Sequence, residues 1–552
     1  MSLLVNSCAG FPSQEGGVIG GVTVVRIYNE TLNEVDHRLF GQFMERPASG
    51  EPGPEAGLIP GTHSLQPEVL RLLDEMNIPI IRFPGGSAIQ HCERHWPDFI
   101  DNVPGQDEER PIGRFYGFYE FLTDCETLKA EPMLVVNFRA AVWKEYSLEK
   151  AAQLAAGLVA YANAPVGADL PCGMPDWPAA RAASGHPEPF GVRIFQLGNE
   201  WAGWTGSIAK QTGIINTPEQ VEWTKQCIRA FAIAMRQVDP SIELIIDGQV
   251  WDDDDFVFVD MLLADQSLKE VVQYVAVHYY RPWGVKSISK NGEECGWEDL
   301  TDLDVWRACI SVPDIDSNGV SVFNDRAFSL SVGHGWPIAM TEWNWNGWGD
   351  ETGNPVFRSA YMRGVGAAGM LNAMLRSGGE LKMGFQSMLV GSEWGIMAVR
   401  VDPEAKHKAV MTPTGQMTAF YGRCHGSRRL RVEMDGLEYF NQPVRLENIQ
   451  PAEQVALLDI VATATGDRIY MHVINRDFEN DRRITIDLQG MTVGGNAVSH
   501  CMQGRIESGG IWEIVAQEID REVSAEDDRL QTTLPPRSVS IVEIPLVKLF
   551  AD

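Results

Sequence analysis

Between Phe40 and Val390 the chain alternates eight times between a short apolar run and a helical stretch, and no other feature constrains its fold as strongly. The runs are Leu39–Pro47, Pro79–Ser87, Pro132–Phe138, Gly191–Glu200, Ile242–Gly248, Val271–His278, Pro337–Asn344 and Leu381–Val390. Most are continuously apolar rather than alternating, as expected of strands buried on both faces. Helical periodicity marks the segments between them: Pro67–Met76 sets Val69, Leu72, Leu73 and Met76 on one face, and Ser147–Tyr161, Phe256–Leu263 and Phe357–Arg376 follow the same pattern. Eight strand–helix units predict a closed (β/α)8 barrel; an open doubly wound sheet would carry a dinucleotide fingerprint, and none is present. The Pro- and Gly-rich stretch Ala164–Phe190 reads as a long loop of the kind that lines a site.

After Met411 the pattern changes to short strands, Leu430–Met434, Val455–Ala462, Arg468–Asn475, Arg483–Leu488 and Ser538–Ile544, which predict a C-terminal β-sandwich. The β-branched run Val22–Asn29 lies outside the eightfold count and is expected to complete that sandwich. The expected division is therefore 1–36 for this strand, 37–405 for the barrel and 406–552 for the sandwich. At 552 residues the chain is long enough for both. Its formal charge of −30, from 45 basic and 75 acidic side chains, repels nucleic acid and anionic membrane and suits a neutral ligand. Sixteen Trp and twelve Tyr fit a sugar, whose apolar ring face is covered by flat aromatic faces. The first residues lack the basic and apolar regions of a secretory signal, no apolar run is long enough for a bilayer, and the nine Cys are scattered. These features favour a cytoplasmic protein with reduced thiols.

Two of the runs end on a carboxylate: Gln196-Leu197-Gly198-Asn199-Glu200 and Met340-Thr341-Glu342-Trp343-Asn344. Glutamates at two barrel strand ends are what retaining glycoside hydrolysis requires, one attacking the anomeric carbon and one serving as acid and then base. Strand-end acids also cap helices and bind water, so spacing alone leaves both readings open. Glu45 is a third strand-end acid, equally readable as a solvated side chain beside Arg46. His278, ending its strand beside Tyr279, Tyr280 and Trp283, reads as a site residue more readily than as a core histidine. Arg82 could bond a catalytic carboxylate, and Gly85-Gly86 permits close backbone approach to a ligand. His91, Cys92 and His95 invite a metal reading, but no further partner follows at metal-ligand spacing, and a polar pocket wall with Trp96 is the expectation. The acidic run Asp252–Asp255 fits a helix N-terminus, not a calcium loop. No metal or cofactor is expected.

Arg82-Phe83-Pro84-Gly85-Gly86, Gln196–Glu200, Ala276-Val277-His278-Tyr279-Tyr280 and Thr341-Glu342-Trp343-Asn344 together resemble the ordered motifs of glycoside hydrolase family 51, the α-L-arabinofuranosidase family. Phe40–Glu45 resembles its first barrel strand, and Met411–Gly426 its junction between barrel and sandwich. The resemblance implies a barrel plus β-sandwich, a retaining exo-acting arabinofuranosidase without a cofactor, an oligosaccharide substrate, and a homo-oligomer such as a hexamer. It implies Glu200 as acid/base and Glu342 as nucleophile. Asn199 would contact the sugar 2-hydroxyl, Glu45 the distal hydroxyls, and Trp96 would form an aromatic wall. His278 and Tyr280 would orient the nucleophile, which Arg82 would hold ionised. The chain departs from the family where Ser87 replaces the Asn of Pro-Gly-Gly-Asn, a residue that binds the glycone. It departs again in the eighth strand, Met383–Gly391, where either Gln386 supplies the amide in a shifted register or the family's polar contacts are lost. A retaining barrel hydrolase for another glycan, and a carbohydrate-binding protein without turnover, are the alternatives.

Overall fold

The computed structural model describes residues 21–45, 53–86, 89, 116–201, 217–345, 360–392, 396–402, 408–507, 510–526 and 529–547. Ser87, His91, Cys92, His95, Trp96, Glu393 and Trp394 lie outside the described residues.

Eight parallel strands close a barrel: β1 (Gly41–Phe43), β2 (Ile80–Phe83), β3 (Glu131–Val136), β4 (Ile194–Leu197), β5 (Glu243–Asp247), β6 (Tyr274–Tyr280), β7 (Ile338–Asn344) and β8 (Leu381–Ser387), each paired to the next and β8 to β1. Phe43, Ile80, Met133, Ile194, Ile245, Ala276, Ala339 and Met383, one from each strand, pack into a single buried cluster. The barrel is therefore filled with side chains and can present chemistry only at its ends. Residues of opposite parity, such as Leu134, Leu244 and Met340, face the surrounding helices, which explains why the strands read as unbroken apolar runs.

The helices begin where the chain provides caps. Ser147 accepts from the Lys150 amide ahead of Leu148–Asn163 at 3.2 Å, and Thr217, followed by Pro218, accepts from the Gln220 amide ahead of Pro218–Val238 at 3.2 Å. Asp252 caps Asp253–Leu263, whose first turn carries Asp253, Asp254 and Asp255, so the acidic run is a helix N-terminus.

Two expectations are corrected. Ala164–Phe190 contains the helix Trp177–Ala183 and joins the C-terminal end of Leu148–Asn163 to the start of β4, which puts it at the end of the barrel away from Glu200. Its order comes from Arg181, fully buried and donating to the carbonyls of Tyr161, Ala164, His186 and Pro187. The eighth strand also has its helix, Pro413–Arg423, packed against Ala360–Arg376 and Pro67–Met76, so the barrel's last element lies beyond residue 405.

The C-terminal region is built on a ten-stranded, mostly antiparallel sheet. Val22–Glu34 lies inside it, antiparallel to Arg428–Asp435 and parallel to Arg482–Gln489. Gly510–Glu522 and Ser524–Glu526 occupy opposite ends of the strand order although only Val523 separates them, so the sheet must curl back on itself. Thr532 Oγ1 donates to the Glu522 carbonyl at 3.3 Å where the two ends meet. The enclosed core includes Val25, Ile27, Leu430, Ile460, Met471, Ile484 and Val542. At the joint with the barrel, Asp459 is fully buried between Arg376 and Arg476, with Arg476 Nη2 at 2.9 Å from Asp459 Oδ2. Such a pair persists because its charges compensate one another out of water.

Candidate active site

Glu200 and Glu342 converge at the C-terminal end of the barrel by two local devices. Beyond β4 the chain turns sharply, with φ of +74° at Gly198 and +51° at Glu200. A glutamate in the left-handed region carries strain, offset here by its neighbours. Trp201 is buried, packs on Phe138, and donates from its indole nitrogen to the Leu197 carbonyl at 2.6 Å. In β7 the register against β6 slips between Met340 and Glu342, bringing Glu342 opposite His278. The irregularity takes up Thr341 as an extra residue, so the inward-facing Ala339 is followed by both Thr341 and Glu342 on the site side.

His278 stands between the two glutamates. Its Nδ1 is 2.8 Å from Glu200 Oε1 and 3.5 Å from Glu342 Oε2, while Nε2 meets Thr341 Oγ1 at 3.0 Å and the backbone N–H donates to Gln249 Oε1 at 2.8 Å. Burial opposes a charge on this imidazole, but the field of Glu342 and the hydrogen bond and field of Glu200 prevail, and its pKa is raised. One oxygen from each glutamate and one His278 nitrogen lie within 4.8 Å of one another, and this is the one such His/acid group among the described residues. The raised pKa and the short Nδ1 contact to Glu200 suit this group to sharing a proton.

Arg82 organises the other side. Its buried guanidinium lies over the Phe43 ring at 4.4 Å and donates from Nη1 to Glu342 Oε1 at 3.0 Å, from Nε to Gln196 Oε1 at 2.9 Å and from Nη2 to Asn199 Oδ1. The Asn199 amide is thereby fixed with its oxygen toward Arg82. Tyr280 donates to Glu342 Oε2 at 2.9 Å, and its hydroxyl is also 2.9 Å from Ser387 Oγ. A phenol has one proton, so with Tyr280 donating to the carboxylate, Ser387 is the donor in the second bond. Burial, then the negative field of Glu342, pushes the Tyr280 pKa far up, so it remains a donor. Glu45, buried just past β1, lies so close to Gly86 that a β-carbon there would come within 1.5 Å of Glu45 Oε1.

The structure thus groups Arg82, Asn199, Glu200, His278, Tyr280 and Glu342, with Glu45 beside Gly86. Gln386 is not in that group. Phe385 and Ser387 point into the barrel, so Gln386 points outward, where it accepts from Gln42 Nε2 at 3.1 Å and from Thr418 Oγ1 at 2.8 Å and faces the helix Pro413–Arg423. Strand parity overturns its expected contact with a sugar. Thr341, Ser387 and Gln249 were not singled out by the sequence. The first depends on a bulge and the others on long-range pairing, and only the parity of Ser387 with Phe385 was available as a signal.

A family model described as "Alpha-L-arabinofuranosidase 1 domain" matches residues 72–284, from the helix before β2 to just beyond β6. The chain is 29% identical over 274 residues to an intracellular exo-α-(1→5)-L-arabinofuranosidase of Streptomyces lividans, covering 46% of this chain and 36% of that one. It is 30% identical over 191 residues to a probable α-L-arabinofuranosidase C of Aspergillus fumigatus, covering 33% of this chain and 32% of that one. The matched part is thus about a third of each relative's length, 36% and 32%. The family 51 arabinofuranosidase of Xanthomonas axonopodis pv. citri has a similar backbone, with a TM-score of 0.68 at 17% identity over 95% of this chain and 99% of that one, a likeness of fold. The motifs, the barrel and these relatives together support the assignment of the chain to glycoside hydrolase family 51.

Proposed function

We propose that this protein is a retaining, exo-acting glycoside hydrolase that releases terminal α-L-arabinofuranosyl residues from oligosaccharides. The observation that carries the proposal is the approach of Glu200 and Glu342 oxygens to within 4.8 Å, in the range of the ~5 to 5.5 Å separation of retaining carboxylates and too close to admit the water of an inverting site. In this reading Glu342 attacks C1 while Glu200 protonates the departing oxygen. The resulting glycosyl ester is then cleaved by water, activated as Glu200 takes its proton. Arg82 and Tyr280 fix the two oxygens of Glu342 for in-line attack. His278 sets the orientation of Glu200, and Asn199 and Glu45 supply polar contacts to the sugar.

The outward turn of Gln386 favours a second reading, in which the same chemistry serves a different glycone. A panel of aryl furanosides and pyranosides separates the two. Preferred turnover of the α-L-arabinofuranoside, with NMR showing an α product first, is the expected result. Turnover confined to pyranosides, or a β product, refutes the proposal. A cytoplasmic homo-oligomer completes the reading, and light scattering of the purified protein measures the assembly.

A further inference from the structure

The loop beyond β6 is held by the C-terminal region. Ile288–Lys290 pairs antiparallel with Val444–Leu446, which brings the turn at Glu447 and Asn448 against the loop. Glu447, with φ of +51°, accepts at Oε2 from the amides of Lys286 and Ser287 at 3.0 and 3.1 Å and donates its own N–H to the Ser287 carbonyl at 3.0 Å. Asn448 bridges two residues closer to the site: its Nδ2 donates to the Tyr280 carbonyl at 3.0 Å, and its Oδ1 accepts from the Trp283 amide at 3.1 Å.

The residue so held is an indole 40% exposed, set edge-on to the Tyr280 ring with centroids 5.0 Å apart. Because the Tyr280 hydroxyl donates to Glu342, Trp283 stands one ring away from the carboxylate that carries the chemistry. Strand order places it on a particular wall. In the closed barrel β6 is four strands from β2, so its loop faces the wall carrying Gly85, Gly86 and the adjacent Glu45 across the mouth. If Glu45 holds the terminal sugar, the opposite wall is left to what that sugar is attached to. A flat, rigidly held aromatic face suits the apolar face of a second sugar ring, and its ordering cost has already been met by the backbone clamp.

We infer that Trp283, positioned by Asn448, is the platform for the leaving-group sugar of an oligosaccharide and so selects saccharides over compact leaving groups. The inference rests on the arabinofuranosidase reading above.

The test compares kcat/KM on an α-(1→5)-linked arabinotriose with that on α-L-arabinofuranosyl fluoride, whose leaving group is too small to reach the platform. Trp283→Ala is expected to lose about tenfold more on the trisaccharide than on the fluoride, chiefly through KM. Trp283→Phe, which keeps a flat face, should recover most of that difference, and Asn448→Ala should lose selectivity in the same sense. Turnover of the fluoride shows that each variant is folded. Equal losses on the two substrates, or an unaltered KM for the trisaccharide, overturn the platform while leaving the hydrolase reading intact. A wild-type enzyme inert toward both substrates overturns that reading, and this inference with it.

Discussion

Arg82 Nη1 donates to Glu342 Oε1 at 3.0 Å, joining a wholly buried guanidinium to a nearly buried carboxylate. Nε and Nη2 are spent on Gln196 and Asn199, and Nη1 also reaches the Thr341 carbonyl at 3.4 Å, so one side chain spans four acceptors from the β4 and β7 segments. An ammonium cannot reproduce that planar spread. Arg82→Lys should therefore lower kcat/KM at least ~100-fold and reduce stability by about 3 kcal/mol, the scale for breaking a buried pair. Steady-state kinetics with chemical denaturation measures both, and a variant within fivefold of wild type would remove Arg82 from the machinery.

The two glutamates should fail differently. In the proposed mechanism Glu342→Ala removes the nucleophile, so even an aryl glycoside with a good leaving group is expected to react at under ~0.1% of the wild-type rate. Glu200→Ala still permits attack on that activated substrate but lacks the base for hydrolysis, so the ester accumulates as a burst and azide speeds turnover by capturing it. Equal defects rescued equally by azide would contradict the assignment.

Protonation of His278 should stabilise the folded enzyme. Although burial disfavours the charge, Glu342 and Glu200 outweigh it and raise the pKa. The sign follows: this contribution is complete below the unfolded histidine value of ~6.5 and disappears as pH rises through the raised folded value. His278→Asn should melt well below wild type in mild acid, with the gap narrowing toward alkaline pH. Parallel melting curves across that range would show that the imidazole carries no such charge.

The barrel was legible because eight buried strands each leave a continuous apolar run, and Glu200 and Glu342 were legible because each ends such a run. Features depending on partners distant in sequence were not. Whether Gln386 faces the sugar or a helix turns on one residue of register, as the inward Ser387 next to it shows. Composition identified Ala164–Phe190 as irregular, but only its connection from helix to strand determines that it lies away from the site. Asn448 approaches Tyr280 from 168 positions along the chain, in a turn whose local sequence carries no sign of the barrel.

Gly86 provides the most economical probe of the sugar side of the site. Its φ is +30°, and a β-carbon added there would meet Glu45 Oε1 at 1.5 Å, which leaves no room for a methyl group unless the carboxylate moves. Glu45 is a long side chain at the barrel mouth, so it can swing aside without disturbing the interior cluster beneath, to which Phe43 and not Glu45 contributes. Gly86→Ala should therefore cost about 1 to 3 kcal/mol of stability, for the strained backbone and for displacing a buried carboxylate from its contacts. If Glu45 holds the terminal sugar as proposed, kcat/KM should fall on the order of 10- to 100-fold, because that polar contact is displaced. Glu45→Ala removes the same contact outright, and adding it to Gly86→Ala should then cost little more, since two changes acting through one contact are not additive. A double mutant whose losses multiply would place the effect of Gly86 elsewhere, in the path of the backbone toward the sugar.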